Sequence, residues 1–438
     1  MRARYALVVV AGAVMLLAIA AAIVLLLQGA PLRTESLALR IGIGLVLTFL
    51  VLLVVRYFVL LWLGFLHHME AHDDDGAMPL LPAVTIIVPA YNEGPVIQQA
   101  IRSLLELDYP SYEILVVDDG SRDDTYARAA EIEGRYGAVT VRVVSKANAG
   151  KASALNTGIA LARSPFVLCM DGDSRLARET LRTAMPHFAD ARVGAVAGNV
   201  KVVNRNNLWT RLQALEYIEG LNLARRAQGF ARVVNIIPGP IGIFRRETLT
   251  LVGGYDTDTF AEDADLTLKI LTAGWHVVYE NRAVAWTEAP ERLNDLIKQR
   301  YRWTRGILQA LRKRASWLAA PRPGSGIGVW ISLQAMFFEA IVWPMMNVIG
   351  NLVFVLAALE AGAAAYVLWW WLLLTLLDVA AALHCVAMEE EDLALVPLAV
   401  VYRLFFVAMI DVTKLFATVE ELFRVRMTWG KLERAGRI

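Results

Sequence analysis

Residues 84–121, VTIIVPAYNEGPVIQQAIRSLLELDYPSYEILVVDDGS, contain two short β-rich runs separated by a stretch with helical spacing. The β-rich runs are Val84–Val88 and Glu113–Val117, and the helical stretch is Val96–Leu107. A strand, a helix and a second strand in this order are typical of a unit in which the two strands are parallel. The segment therefore predicts an α/β domain built on a parallel sheet.

The same alternation continues further along the chain. We predict strands at Val139–Val144 and Phe166–Met170, and helices at Asp123–Arg135, Lys151–Ala162 and Arg292–Leu318. Ligands of such sheets bind outside the carboxyl ends of the strands. The residues that directly follow the strands are therefore the candidate functional residues.

The composition shows that this domain is only part of the molecule. The 438 residues are 57% hydrophobic, against about 45–50% in soluble domains, which excludes a disordered chain and argues against a purely soluble one. The net charge is +1, so no basic footprint points to nucleic acid. Cys169 and Cys385 are too few and too far apart for a disulfide framework. His67, His68 and His72 border an apolar run, which favours a wet membrane edge over a zinc site.

The apolar excess lies at the two ends of the chain, where we predict membrane spans. Tyr5–Leu27 is too long for the apolar core of a signal peptide, so we interpret it as a retained anchor. A second span is predicted at Ile41–Leu66. After the central domain, three further candidates are Ala340–Leu359, Ala361–Met388 and Leu393–Val419.

Basic residues indicate the orientation of these spans. Arg2 and Arg4 precede the first span, so two crossings return the chain to the cytoplasm under the positive-inside rule. The number of C-terminal crossings stays open, because three would export the basic tail, whereas two or four would keep it inside. The predicted organisation is two transmembrane helices in 1–66, a charged connector in 67–78, a cytoplasmic domain ending in an interfacial amphipathic helix in 79–323, transmembrane or interfacial helices in 324–423, and a basic tail in 424–438.

Acidic side chains follow two predicted strands and open one later helix. They are Asp118, Asp119, Asp171, Asp173, Glu262 and Asp263. Two acids at positions i and i+2 after a buried strand can share a divalent cation and the phosphates it carries, because Mg²⁺ prefers oxygen ligands. Asp-rich turns are also common for local reasons, since Asp caps helices and tolerates turns. Three acidic strand ends in one domain, at Glu93, at Asp118 and Asp119, and at Asp171 and Asp173, favour a site.

Two basic elements complement these acids. Lys151 follows Gly150 at the start of a predicted helix, where it could face a diphosphate; a solvated lysine is the alternative. Further along, Gln299, Arg302 and Trp303 share one helical face. Arg302 could bind a phosphate while Trp303 stacks on a sugar ring. An interfacial helix that contacts lipid headgroups would carry the same residues.

The motifs occur in one order along the chain. They are VTIIVPAYNE at 84–93, VVDDGS at 116–121, DGD at 171–173, ED at 262–263 and QRYRW at 299–303. This set resembles the inverting family 2 glycosyltransferases, in the membrane-embedded processive branch that makes cellulose, hyaluronan, chitin oligomers and poly-β-1,6-N-acetylglucosamine. The resemblance covers about Val84 to Gly306. It implies an α/β GT-A domain (nucleotide-diphospho-sugar transferase, Rossmann-like) flanked by transmembrane α-helices.

The resemblance also implies a role for each matching residue. Asp118 and Asp119 would bind the uridine part of a UDP-sugar, with Tyr91 and Glu93 at the same end of the sheet. The residues assigned to the nucleotide-sugar are Tyr91, Glu93, Asp118, Asp119, Lys151 and Asp171. Asp171 and Asp173 match the DxD pair, and Asp173 would be the direct ligand of Mg²⁺ or Mn²⁺.

Asp263 matches the acid of the TED motif and would be the general base. The Thr of that motif is Ala261 here, so the part played by its hydroxyl in placing the acceptor is in doubt. The residues assigned to the acceptor sugar and the diphosphate are Glu262, Gln299, Arg302 and Trp303.

These assignments predict an enzyme that transfers a sugar from a UDP-sugar, with UDP-N-acetylglucosamine as the best candidate, into a β-linked polysaccharide. The tail Trp429–Arg434 is most similar to bacterial poly-N-acetylglucosamine synthases. We expect a multi-pass protein of the inner cell membrane whose partners are the donor, a growing polysaccharide or lipid acceptor, the bilayer, and accessory export or modification subunits. Alternatives are a non-processive transferase acting on a lipid carrier or glycolipid, and a non-catalytic nucleotide-sugar-binding export or sensor partner.

Ionisable residues within the late apolar runs are functional hypotheses by default. Those in this chain are Glu339, Asp378, Arg403 and Asp411. They either line an exit path for the product or lie at the membrane interface, and the sequence favours neither.

Overall fold

The computed structural model describes four ranges of the chain and two single positions. They are residues 37–73, 81–322, 326–360 and 364–425, with Leu17 and Ala21. The predicted anchor at residues 5–27 lies outside these ranges except for the two single positions. The tail at residues 429–434 also lies outside them.

A nine-stranded sheet forms the centre of the domain. The strands are β1 (Val84–Ala90), β2 (Tyr112–Asp118), β3 (Gly134–Tyr136), β4 (Val139–Ser145), β5 (Phe166–Cys169), β6 (Ser174–Leu176), β7 (Val193–Val202), β8 (Gly242–Arg245) and β9 (His276–Thr287). Their spatial order is β3-β4-β2-β1-β5-β8-β7-β9-β6. The strands β4, β2, β1 and β5 are parallel, as predicted. The second half departs from the prediction, because β8 runs antiparallel to both β5 and β7, so the whole sheet is mixed.

The helices alternate with these strands and then continue as a separate apolar group. They are α1 (Leu37–Asp73), α2 (Ile97–Leu104), α3 (Thr125–Ala130), α4 (Lys151–Leu161), α5 (Thr180–Ala184), α6 (Leu208–Glu216), α7 (Leu223–Phe230), α8 (Arg246–Val252), α9 (Glu262–Thr272), α10 (Leu293–Lys313), α11 (Ala315–Ala319), α12 (Gly326–Phe337), α13 (Trp343–Glu360), α14 (Ala364–Met388), α15 (Leu398–Val401) and α16 (Val407–Leu422). Short 3₁₀ segments cover Met185–Ala189 and Leu393–Leu395. Single π-helical segments cover Tyr217–Asn222, Phe338–Val342 and Tyr402–Phe406.

Alternate residues of β1 pack on opposite faces of the sheet. Ile86 joins the core with Ile101 of α2, whereas Ile87 joins the core on the other face with Leu155 of α4. Both faces of a parallel sheet are normally covered, which explains why these strands are apolar throughout. This packing places the carboxyl ends of β1, β2 and β5 at one edge of the sheet, where the candidate residues follow.

Two of the predicted helices are wrong in extent. The prediction of a helix over Asp123–Arg135 fails after Ala130, and Arg135 lies in β3. Gly137, at φ +65°, turns the chain between β3 and β4. Residues 134–136 therefore pair with β4 instead of continuing the helix. The helix predicted over Arg292–Leu318 is divided into α10 and α11 at Arg314.

Three helices among the described residues are long and apolar enough to cross a membrane. They are Val51–Glu70, Gly326–Glu360 and Leu393–Leu422, and Leu374–Met388 is a shorter apolar helix. The predicted span at residues 41–66 lies within α1, and the one at residues 340–359 is the second half of a helix that begins at Gly326. These helices agree with a location in the membrane, and the number of crossings stays a prediction.

Ion pairs join the apolar helices to one another. Arg56 of α1 contacts Glu339 at 2.6 Å, and Arg403 forms a two-pronged pair with Asp378 of α14. Asp411 accepts a hydrogen bond of 2.5 Å from Asn347. A buried charge is stable only when it is paired, so these contacts explain the presence of ionisable residues between apolar helices. A role in an exit path stays a prediction.

The domain and the apolar helices share an interface. On the domain side it is built by α6, the π-helical segment Tyr217–Asn222 and α7. Arg226 of α7, which is 1% exposed, contacts Glu389 beyond the end of α14 at 2.7 Å. His67 near the end of α1 lies 3.1 Å from the carbonyl oxygen of Tyr279 and is buried. The expectation that His67 lies at a wet membrane edge is therefore wrong, because α1 packs directly on the domain.

Candidate active site

The loops after β1 and β2 are held together by hydrogen bonds that start from the backbone. Asn92, whose φ is +52°, accepts a bond of 2.8 Å from the Arg122 amide, and its own amide donates to Ser121 Oγ at 2.9 Å. The amide of Glu93 donates to Thr125 Oγ1 at 2.8 Å. These bonds bring Tyr91 and Glu93 to the same edge as Asp118 and Asp119, as predicted for a nucleotide pocket.

Asp118, the last residue of β2, and Asp119, which follows it, are buried and bonded within the protein. Each is 2% exposed. Asp118 accepts a hydrogen bond from Ser145 Oγ at 2.8 Å. Asp119 contacts Lys146 Nζ at 2.6 Å and accepts from the Gly150 amide at 2.7 Å. Asp119 thus shapes the 146–150 loop that leads into α4, in addition to any contact with a nucleotide.

Lys151 connects acids from two different elements. Its Nζ lies 2.5 Å from Asp171 Oδ1 after β5 and 2.9 Å from Glu262 Oε1 at the start of α9. Partial burial lowers the pKa of Lys151, but the carboxylates of Asp171 and Glu262 outweigh it and hold the pKa above its usual value. The Lys151 ammonium therefore lies between two acids of the site. That it faces a diphosphate stays a prediction.

The loop that contains Gly239 passes close to this ion pair. A side-chain carbon added at Gly239 would lie 3.0 Å from Lys151 Nζ and 3.1 Å from Asp171 Oδ2. The loop between α7 and β8 therefore approaches the pair more closely than any other residue type would allow without displacement. Sequence reasoning missed Gly239, although the PGPIG run at residues 238–242 is a signal of close backbone approach.

Asp263 lies in the first turn of α9, next to Glu262. Burial, and then the charges of Glu262 and Asp171, raise the pKa of Asp263, and Lys151 opposes them, so that the pKa is about 6. A carboxylate with a pKa near neutrality is suited to general acid–base work. The backbone amide of Ala264 donates to Asp263 Oδ1 at 2.7 Å and orients the carboxylate.

The QRYRW segment lies on α10 and is organised by a residue that the sequence analysis did not select. Arg300, which is 3% exposed, forms a two-pronged ion pair with Glu216 of α6 and also donates to Gln299. Its guanidinium lies 4.3 Å from the centroid of the Trp303 ring. Arg300 thus contacts Gln299 and Trp303, two of the four residues assigned to the acceptor sugar and the diphosphate, whereas Glu216 has no signal in the sequence.

Tyr217 lies next to Trp303 of the QRYRW segment. Its ring centroid is 6.4 Å from that of Trp303. Asp171 and Arg300 both act electrostatically on its hydroxyl, and burial raises the pKa of Tyr217. Gly306 of α10 packs on Ala261, directly before Glu262, and Lys151 joins Glu262 to Asp171, so the structure brings Asp171 and the QRYRW helix to one site.

The donor set at the end of β5 fits a divalent cation. Asp171, Asp173, Glu262 and Asp263 provide four carboxylates against one ammonium, that of Lys151, so their formal charges sum to −3. Carboxylate oxygens are the ligands that Mg²⁺ and Mn²⁺ take together with substrate phosphates. Neutralisation by Lys151 alone is incomplete, and the residues are consistent with a bound cation.

A second group of acids, formed by the first turn of α9 and the loop before it, is different. Asp256, Asp258 and Asp265 lie within 4.8 Å of one another. Lys313 contacts all three at 2.5–2.8 Å, and Arg314 contacts Asp265 at 2.9 Å. This group is an ion-pair cluster that holds α9 against the end of α10.

Comparison with known proteins identifies the family. The model described as glycosyltransferase like family 2 matches residues 82–306. The chain belongs to glycosyltransferase family 2. It is therefore a glycosyltransferase, and the motif-based resemblance is confirmed.

Two similar curated proteins are named as synthases of a polysaccharide. The poly-β-1,6-N-acetyl-D-glucosamine synthase of Staphylococcus aureus (strain COL) is 33% identical over 227 residues, which are 52% of this chain and 55% of that protein. The synthase of the same name from Staphylococcus epidermidis is 32% identical over 224 residues, 51% of this chain and 54% of that protein. The chain spans about half the length of the curated relatives it matches.

A solved structure has the same fold over most of the chain. The mannosyltransferase PcManGT from Pyrobaculum calidifontis, solved with GDP-Man and Mn²⁺, has a TM-score of 0.57 at 25% identity. The match covers 83% of this chain and 99% of that one. The prediction of a GT-A fold is confirmed. The roles of the individual site residues stay predictions.

Proposed function

We propose that this chain is an inverting transferase of the cell membrane that polymerises N-acetylglucosamine from UDP-N-acetylglucosamine into a β-linked polysaccharide. The observation that carries the proposal is the contact of Lys151 with both Asp171 and Glu262, next to Asp263. It joins the predicted donor acids to the predicted base at one edge of the sheet. The curated relatives, whose name states their polymer, support the choice of sugar.

In the proposed reaction, Asp263 removes the proton from an acceptor hydroxyl as the oxygen attacks the anomeric carbon of the donor. A single displacement inverts that carbon, so an α-linked donor gives a β-linked product. Trp303 holds the acceptor ring by stacking, with Gln299 beside it. Arg302 contacts the diphosphate and stabilises the charge that develops on the departing UDP.

Asp173 and Asp171 are the residues that would hold Mg²⁺ or Mn²⁺. When bound, the cation supplies charge neutralisation for the diphosphate leaving group. Lys151 fixes the position of Asp171 before the donor arrives. Asp118 and Asp119, with Tyr91 and Glu93, form the end of the pocket that takes the uridine.

The proposal includes the location of the enzyme. We place the domain at residues 79–323 in the cytoplasm, with the helices before and after it in the inner membrane. The paired charges between those helices, such as Arg56 with Glu339, support a stable helical bundle within the bilayer. Export of the product through this bundle, and accessory subunits that assist it, follow from the proposal as further expectations.

The test is a donor screen on the full chain in detergent or nanodiscs. Release of UDP is measured with UDP-N-acetylglucosamine, UDP-glucose, UDP-glucuronate and GDP-mannose, each with Mg²⁺ or Mn²⁺. We expect the fastest release with UDP-N-acetylglucosamine and a labelled product of many sugars. A lipid product with a single sugar would contradict the polymerase, and the absence of release with every donor would contradict catalysis.

A further inference from the structure

The last apolar helix ends against the helix that carries the QRYRW segment. Near the C-terminal end of α16, Glu421 accepts hydrogen bonds from Arg305 Nε at 2.9 Å and Arg312 Nη1 at 2.8 Å. Arg305 also donates to the Val425 carbonyl oxygen at 2.7 Å and is 3% exposed. Buried, charge-assisted bonds of this kind fix the relative position of the two helices.

Gln309 extends this anchor to the segment that precedes the predicted base. Its Nε2 donates to Glu421 Oε2 at 3.2 Å, and its Oε1 accepts from the Phe260 amide at 3.1 Å. Gly306, one turn earlier on α10, lets Ala261 pack directly on the helix, because a side-chain carbon there would overlap the Ala261 backbone. A continuous set of contacts therefore runs from Glu421 to the residues that start α9.

We propose that Gln309 and Glu421 are positioning residues for Asp263, so that the end of the last apolar helix sets the geometry of the transfer site. The proposal rests on the proposed function only in naming Asp263 as the base. Ala261 has no side-chain hydrogen-bonding group, so the segment before Asp263 is held through the Phe260 amide. A displacement of about 1 Å at a reacting group can cost about 100-fold in rate. Loss of the contact between Gln309 and the Phe260 amide should therefore lower the rate of transfer.

The chain offers a matched pair of acids for the test. Glu420 and Glu421 are adjacent at the end of α16, but Glu420 accepts from Tyr301, whereas Glu421 accepts from Gln309. Gln309→Leu removes both contacts of the Gln309 amide, and Glu421→Gln removes the charge and one acceptor oxygen of the carboxylate that holds Gln309. Glu420→Gln leaves these groups in place. Gln334→Leu removes a comparable glutamine, which donates to the Leu318 carbonyl oxygen at 2.6 Å, and controls for loss of an amide.

Hydrogen–deuterium exchange of the peptide that covers residues 257–264 measures the coupling in the full chain. We expect about 10-fold faster exchange in Gln309→Leu and Glu421→Gln, and wild-type exchange in Glu420→Gln and Gln334→Leu. Release of UDP should show kcat lowered about 10- to 100-fold with the donor KM changed less than about 2-fold. The double variant Gln309→Leu/Glu421→Gln should be no slower than Gln309→Leu, because both substitutions break one pathway.

Several results would overturn the inference. They are wild-type exchange in Glu421→Gln, equal effects of Glu420→Gln and Glu421→Gln, or additive losses in the double variant. Faster exchange along all of α10 with a lower Tm would show a purely structural role and would also overturn it. If the wild-type chain released no UDP from any donor, the proposed function would fail, while the exchange comparison would still decide the coupling.

Discussion

The guanidinium of Arg300 lies 4.3 Å from the ring centroid of Trp303, which follows it within the same turn of α10. Cation–π contact of this kind stabilises an indole by about 0.5–2 kcal/mol and limits its orientation. Glu216, which lies 84 residues earlier in the chain, holds the guanidinium in place. The orientation of the predicted acceptor platform therefore depends on a carboxylate from a different helix.

Glu216→Gln should impair transfer more strongly than a neighbouring substitution of the same chemistry. Without the carboxylate, the buried Arg300 loses its counterion, which costs about 3–5 kcal/mol when one partner of a buried pair is removed. We expect a lower Tm and a fall of at least 10-fold in kcat for UDP release, because Trp303 and Gln299 lose their common support.

Glu219→Gln, within the same helical region, is the control. Glu219 is 6% exposed, and its carboxylate oxygens have no hydrogen-bond partner among the described residues. Burial, and then the charge of Asp378, raise the pKa of Glu219 well above its usual value, so the charged form is disfavoured at this position. A neutral amide of the same size should therefore leave Tm and kcat near wild type. Equal losses in the two variants would contradict the special role of Glu216.

Asp119 and Glu216 differ in whether their place in the site can be predicted from the sequence. Asp119 follows an apolar strand within the first 38 residues of the domain motif, so local pattern alone places it at the edge of the sheet. Glu216 meets Arg300 only because α6 and α10 pack together, and no local pattern encodes a contact between distant segments. The same reason explains the antiparallel β8, whose pairing with β5 is also a long-range contact.

The pH dependence of kcat should report the protonation of Asp263. The base acts as a carboxylate, so with a pKa of about 6 the rate should fall as the pH drops through 6 and be constant above about 7. Glu262 raises this pKa and Lys151 lowers it. Glu262→Gln should therefore move the acidic limb to lower pH, and Lys151→Ala should move it to higher pH.

Asp263→Asn provides the reference for these profiles. Loss of a general base typically costs 10²- to 10⁴-fold in rate. We expect kcat to fall by at least 10²-fold while the Kd of UDP, measured by calorimetry, changes less than about 2-fold. Shifts of the same sign in Glu262→Gln and Lys151→Ala would show that a group other than Asp263 controls the profile.

Gly239→Ala should weaken donor binding without unfolding the protein. The added carbon would lie 3.0 Å from Lys151 Nζ and 3.1 Å from Asp171 Oδ2, so the ion pair must shift by a few tenths of an ångström. We expect the donor KM to rise about 3- to 10-fold, with little change in Tm. Gly220→Ala is the control, because a carbon added there meets nothing within 4 Å. A wild-type KM in Gly239→Ala would show that the loop is not part of the donor site.

Removal and titration of the divalent metal should show which of the two acidic groups of the domain binds the cation. Treatment with EDTA should abolish UDP release, and Mn²⁺ or Mg²⁺ should restore it, because the carboxylates after β5 exceed the charge that Lys151 can neutralise. Asp173→Asn should raise the Mn²⁺ concentration for half-maximal activity at least 10-fold. Asp258→Asn removes an acid whose partner is Lys313 at 2.5 Å, so its metal dependence should equal that of the wild type. If Asp258→Asn shifted the metal titration and Asp173→Asn did not, the cation would bind at the group of Asp256, Asp258 and Asp265, and the charge argument for the β5 edge would be wrong.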